Sequence, residues 1–205
     1  MQTGTVLIQS RLSFFDHSRK GGFFVLCGDP RVHSVACELL VRPLSQGCII
    51  TVLDAGNAFD PYLISRIAQA LKREPREFLS RIFISRSFTC HQTHALVQKV
   101  FAGLNANRSS LILMLGLLTT FYDEEVPLGE RRALFKKTLG LFKGISRKGV
   151  KVLITSTDPP VRVNGGFAAL VIQAADGVAR LDAGPEGGLI LNVVKEIPEV
   201  GAVPK

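Results

Sequence analysis

The stretch GFFVLCGDPRVHSVACELL, residues 22–40, decides the fold. An apolar run, a glycine turn and an amphipathic segment follow one another, which predicts a strand, a loop opening at Gly28 and a helix. In that layout the backbone N–H groups at the helix start can cradle a phosphate, because a helix N-terminus carries partial positive charge. The lysine and the hydroxyl that such a loop needs are missing here.

Working outward, four more apolar runs rich in β-branched residues recur: CIITVLD at 48–54, RIFISRS at 81–87, SSLILMLGLL at 109–118 and KVLITST at 151–157. Continuous apolar runs of strand length, separated by longer amphipathic segments, predict buried strands of a mostly parallel sheet with helices on both faces. The class is α/β. Asp60 and Pro61 have the chemistry of an N-cap and a first helical residue, and Leu63, Ile64, Ile67, Ala68 and Leu71 then share a face up to the limit set by Pro75. Thr89 and Gln92 form a capping-box pattern ahead of a face of Ala95, Leu96, Val100 and Leu104. Near the end, GPEGG at 184–188 separates two strand-like runs, which predicts an antiparallel hairpin closing the sheet.

At 205 residues and 46% hydrophobic, the chain can build one good core, and a single domain over 1–205 is expected, with 1–20 an N-terminal extension and 196–205 an extended tail. The net charge of +8 favours polyanionic partners. Cys27, Cys37, Cys48 and Cys90 form no C-x-x-C pair, so they read as reduced thiols. The first residues lack the order of a signal peptide, and no apolar run reaches bilayer length, so the expected location is cytoplasmic, or nuclear in a eukaryote.

The order of segments resembles the RecA-type recombinase core, in particular the branch of the eukaryotic and archaeal strand-exchange proteins and their paralogs. CGDPRVHSV at 27–35 stands where that family has its nucleotide loop, and LDAGNAFDP at 53–61 where it has the second strand and turn. RSFTCHQTHALVQ at 86–98 is similar to its Arg-x-Phe run and following helix, and LILMLGLLTTFY at 111–122 to its metal-binding strand. VLITSTDPP at 152–160 takes the place of the last core strand, and the Gly-Gly of NGG at 164–166 precedes the closing hairpin. The likeness runs over roughly residues 21 to 200 and implies a RecA-like P-loop NTPase fold.

The departures from that family fall on its chemistry. In the G-x-x-x-x-G-K-[ST] loop the second glycine lets the backbone approach the phosphates, the lysine neutralises oxygens and the hydroxyl holds Mg²⁺. Gly28 keeps the first glycine, but His33, Ser34 and Val35 stand in the Gly-Lys-[ST] places. The metal-strand aspartate falls at about Leu115, the catalytic glutamate at about Gly56 and the γ-phosphate-sensing glutamine at about Thr157. The resemblance therefore implies a pseudo-ATPase with degenerate Walker motifs and no catalytic residue. Of the vestigial loop, Gly28, Arg31, His33, Ser34 and Val35, Arg31 and His33 could still lend charge to ATP and Mg²⁺, a disfavoured cofactor reading.

For nucleic acid, Arg132, Lys136, Lys143 and Arg147 form one stripe on a helical projection of residues 129–151, while Leu134, Thr138, Leu141, Phe142 and Ile145 face the other way. Such a stripe is also how an ordinary solvated face reads. The family holds single-stranded DNA by two loops; the first would be 122–132, with Arg131 its best-placed cation, and the second a shortened 157–166 with Arg162. Cys90, His91 and His94 lack the fourth ligand of a zinc site, and Asp54 reads as a turn-stabilising carboxylate. Phe14, Phe15, Phe23 and Phe24 read as core packing or as a self-association arm. The expected function is a non-catalytic accessory or scaffold in DNA recombination and repair, binding DNA, a recombinase or itself. The alternatives are a weak, unconventional ATPase and a structural protein without a nucleic-acid role.

Overall fold

The computed structural model describes residues 21–104, 109–157 and 166–195. Seven strands form one sheet: β1 (Phe23–Gly28), β2 (Ile49–Asp54), β3 (Ile82–Arg86), β4 (Ser109–Leu115), β5 (Lys151–Thr157), β6 (Gly177–Ala183) and β7 (Leu189–Lys195). Their order is β3-β2-β4-β5-β1-β6-β7. All neighbours pair in parallel except β6 and β7, the predicted hairpin.

Why the interior strands read as unbroken apolar runs is visible in β1. Phe24 and Leu26 enter one core, Phe23 and Val25 the other, so neither face of the pleat has room for a polar side chain. In β4, Leu111, Leu113 and Leu115 face one way and Ile112 and Met114 the other. Each fully buried side chain of this size stabilises the fold by about 1.5–3 kcal/mol.

Among the described residues, eight α-helices connect the strands. α1 (Val32–Leu39), α2 (Val41–Ser45), α3 (Pro61–Ala70) and α4 (Pro75–Leu79) line the first core; α5 (Cys90–Gly103), α6 (Leu117–Phe121), α7 (Leu128–Arg147) and α8 (Phe167–Ala174) line the second. From β1 through β2 to β3 the chain steps toward one edge, and from β3 through β4 and β5 to β6 it steps back across the sheet. Right-handed crossovers place helices on opposite faces for opposite directions of travel, which accounts for the two layers.

The helix caps follow the sequence. Asp60 accepts from the Tyr62 N–H at 2.8 Å, and Thr89 from the Gln92 N–H at 3.2 Å. The return bond of the box shifts by one residue, since Gln92 Oε1 accepts from the N–H of Phe88 at 2.9 Å.

Phe23 and Phe24 are core, 1% and 2% exposed, the first of the two readings given for them; Phe14 and Phe15 lie outside the described residues. Two expectations are corrected. The buried positions of α5 are Cys90, Thr93 and Val97 in place of Ala95 and Leu96, because the contact with α7 sits further round the helix. The strand β3 is an edge, with Phe83 58% and Ile84 42% exposed, and not a buried strand. The cysteines are free, Cys37 and Cys90 buried and Cys27 and Cys48 half-buried. Burial pushes the Cys37 thiol up to about 12. No helix among the described residues is long and apolar enough to cross a membrane.

Candidate functional site

In an open parallel sheet, ligands bind beyond the carboxyl ends of strands, where the direction of chain travel reverses. Here that edge carries the loop after β1, the turn after β2, Gly116 after β4 and the end of β5. The loop is shaped by Gly28, whose φ of +112° and close approach to the carbonyl of Leu181 leave no room for a Cβ. It then closes on itself. The N–H of Asp29 donates to Leu181 O at 2.8 Å and that of Val32 to Asp29 O at 2.9 Å, while Pro30 has no N–H.

The Asp29 carboxylate completes the closure. It accepts from the Arg31 backbone N–H at 2.9 Å and takes the Arg31 guanidinium in a two-pronged pair at 2.8 Å on each oxygen. These bonds to Arg31 hold the Asp29 carboxyl well down, to about 2. The remaining reach of Arg31 goes to the hairpin turn, donating to Gly187 O at 2.6 Å and Gly188 O at 3.4 Å. A carboxylate of the chain itself thus sits on the Arg31 N–H of the loop, and the arginine expected to lend charge to a ligand is a clamp between loop and hairpin.

His33 turns inward. Its Nδ1 lies 2.7 Å from the Thr155 hydroxyl of β5, which also accepts from the Gly116 N–H at 3.2 Å. The ring bridges α1 to β5 and, through Thr155, to β4. Burial holds the imidazole below its ordinary range, with the Asp54 charge opposing that shift. Ser34 is exposed and Val35 is packed in the first core.

Asp54, 1% exposed at the end of β2, accepts from the N–H groups of Ala58 at 2.9 Å and Phe59 at 3.2 Å, and lies 3.5 Å from Arg86 Nε of β3. It stabilises the turn, as the sequence implies, and stands beside a guanidinium that no sequence pattern places there. Leu115 is fully buried. The backbones of Gly56 and Gly116 meet so closely that a Cβ on either would touch the other, at 3.3 Å and 2.8 Å. Thr157 closes β5 opposite Gly28.

Magnesium triphosphate needs backbone donors, a cation and an oxygen ligand for the metal. At these positions the Asp29 carboxylate takes the Arg31 N–H, the cation is paired, and the side chains of Val35 and Leu115 offer a metal no oxygen. The residues present do not fit the group.

The basic row lies on the far face of α7, where Arg132, Lys136, Lys143 and Arg147 are all exposed. The face opposite is anchored by Phe135, Thr138, Leu139, Phe142 and Ile145, with Leu134 and Leu141 only partly covered. Arg131 is a correction: it is 7% exposed and is no surface cation. Its Nη1 donates to the Phe121 carbonyl at 2.9 Å and its Nε is buried without a partner. It is drawn inward because α6, α7 and α8 close an aromatic cluster beside it, with Phe121–Phe135 at 4.8 Å and Phe135–Phe167 at 5.0 Å between ring centres. Arg162 lies outside the described residues, as does most of the second loop.

Of Cys90, His91 and His94, only the first two touch, Cys90 Sγ lying 3.6 Å from His91 Nδ1. The other ring nitrogen of His91 pairs with Glu130 at 2.9 Å, and His94 turns away to the Thr138 hydroxyl at 2.9 Å. Sequence reasoning missed the Asp29–Arg31 clamp and the Thr155 hub. The first had a signal in the Asp-Pro-Arg spacing, since an aspartate commonly bonds the backbone N–H two residues on; the second depends on the order of strands and had none. No protein-family model matches this chain, and neither does any curated protein.

Proposed function

We propose that this chain is a RecA-type core that acts by binding and not by turnover: a non-catalytic accessory or scaffold in DNA recombination and repair that holds DNA, a recombinase partner, or both. The resemblance of its segments, in order, supports the family assignment. The closed loop at Gly28, with the Asp29 carboxylate on the N–H and guanidinium of Arg31, supports the loss of nucleotide chemistry.

The observation that carries the binding half is the row of exposed cations on α7, where Lys136, Lys143 and Arg147 extend over the solvent face of a twenty-residue helix. Cations at a regular rise on a rigid helix can follow a phosphate chain, and the released counterions set the salt dependence. The test is binding of a labelled single-stranded oligonucleotide over a salt series. Each phosphate neutralised contributes about 0.7 to the log–log slope on single strands, so glutamine at Lys136, Lys143 and Arg147 flattens it by about 2. A wild-type chain that binds nothing at low salt removes the DNA half, and an unchanged slope in the variant moves the contact off α7.

A further inference from the structure

We propose that β7 is a pairing edge and that a second copy of this chain docks on it, strand against strand, about a two-fold axis. Among the described residues the strand is outermost in the sheet, so one row of its backbone N–H and C=O groups bonds β6 and the other faces outward. Edge strands are ordinarily protected from such pairing by charge, proline, a bulge or a cover. From Leu189 to Val194 there is neither charge nor proline. The single irregularity in the β6–β7 register falls at the Val178 end, opposite Val193–Lys195, and leaves Leu189–Val193 regular. Lys195, the one cation of the strand, is turned inward, donating to the carbonyls of Ala175 and Gln173 of the α8 end.

Charge selects the occupant. At +8, two copies repel each other over most of their surface. The hairpin Gly177–Lys195 has Arg180 and Lys195 against Asp182 and Glu186, two of each sign and no net charge, so copies can meet there without that penalty. Ile190 on one face of the strand and Val193 on the other are 46% and 49% exposed, apolar surface beside the open edge that a strand partner would help cover. The opposite edge is apolar too, but β3 ends on Arg86, whose side chain stays half-exposed beside Asp54, and a charge on an edge strand is one of its ordinary guards. An antiparallel strand is self-complementary about a two-fold, each residue finding in the other copy the same set of partners it offers.

The inference stands apart from the nucleic-acid reading, and its test needs no DNA. Sedimentation of the full chain from low to high micromolar concentration should show a species of twice the 22.3 kDa chain mass. The double variant Ile190→Lys/Val193→Lys should stay at the single-chain mass, while Phe83→Lys on the other edge should leave the doubled species intact. Amide exchange on the unmodified chain supplies a readout free of folding defects: residues 189–193 should gain protection with concentration and residues 82–86 should not. A single-chain mass at every concentration, a doubled species that survives the Ile190/Val193 variant, or protection that grows on β3 instead would each overturn the proposal.

Discussion

His33 shows how a residue placed where a family has glycine can acquire a structural task. Its ring closes the gap between α1 and β5 through a 2.7 Å bond to Thr155, and burial keeps it neutral. A histidine whose folded pKa lies below its ordinary 6.5 binds fewer protons folded than unfolded, so its protonation opposes folding as pH falls below that value. Stability therefore rises with pH through this window and levels off above it. Replacing His33 by Gln should flatten the loss of Tm between about pH 7.5 and about pH 5, leaving the share of His94, which burial also holds low. Asp29 does not enter that window: its carboxyl is depressed, so its contribution is full above the ordinary carboxylate range and is lost only as pH falls toward about 2. Thermal melts across pH decide it, and equal slopes in the two proteins would remove His33 from the balance. Arg131 is the second residue at odds with its expected place. A buried guanidinium with one carbonyl partner and an orphaned Nε is held at a desolvation cost, and apolar side chains of similar volume commonly match or exceed such groups in stability. The change Arg131→Met should leave Tm level or raised and leave oligonucleotide affinity unaltered; a drop in Tm worth more than about 2 kcal/mol would mean that the Phe121 carbonyl cannot spare its donor.

At the scale of elements, what could be read from the sequence is what depends on short range. The interior strands were legible because a strand covered on both faces tolerates almost nothing polar, as Phe23 to Leu26 illustrate by feeding two cores alternately. The starts of α3 and α5 were legible because Asp60 and Thr89 bond N–H groups two and three residues away. Depth was not legible. A helical projection gives an angle, and the angle of Arg131 puts it beside the basic row; whether it meets water or protein depends on α6 and α8, brought there by the fold. The same limit explains β3: nothing in RIFISRS says that its strand has a neighbour on one side only, because strand order is a property of the whole chain. The candidate site divides likewise. Val35, Leu115 and Gly56 could be recognised as lacking phosphate or metal chemistry from residue type alone, whereas the use of Arg31 as a clamp on Gly187 and Gly188 joins residues more than 150 positions apart.

For the molecule as a whole, the question is whether a sheet with a loop in the phosphate position still answers to a nucleotide. A ligand that binds only the folded chain raises its stability by RT ln(1 + [L]/Kd), about 2.7 kcal/mol at a hundred times Kd, which a melting curve registers readily. With the Asp29 carboxylate on the Arg31 N–H, a triphosphate would have to displace a group already paired to Arg31 and would find apolar Val35 and Leu115 where a metal needs oxygen. Millimolar ATP with magnesium should therefore leave Tm unmoved. Because the chain is +8, ATP can also raise Tm as a simple polyanion resting on the α7 row, so magnesium and salt separate the two routes. Magnesium neutralises the triphosphate and weakens a contact made through charge alone, but strengthens a contact in which the metal is a shared ligand. A rise in Tm that disappears with added salt or with glutamine at Lys136, Lys143 and Arg147 belongs to the cation row; a rise that requires magnesium and survives those substitutions would place the nucleotide in the loop at Gly28 and overturn the proposed loss of nucleotide chemistry.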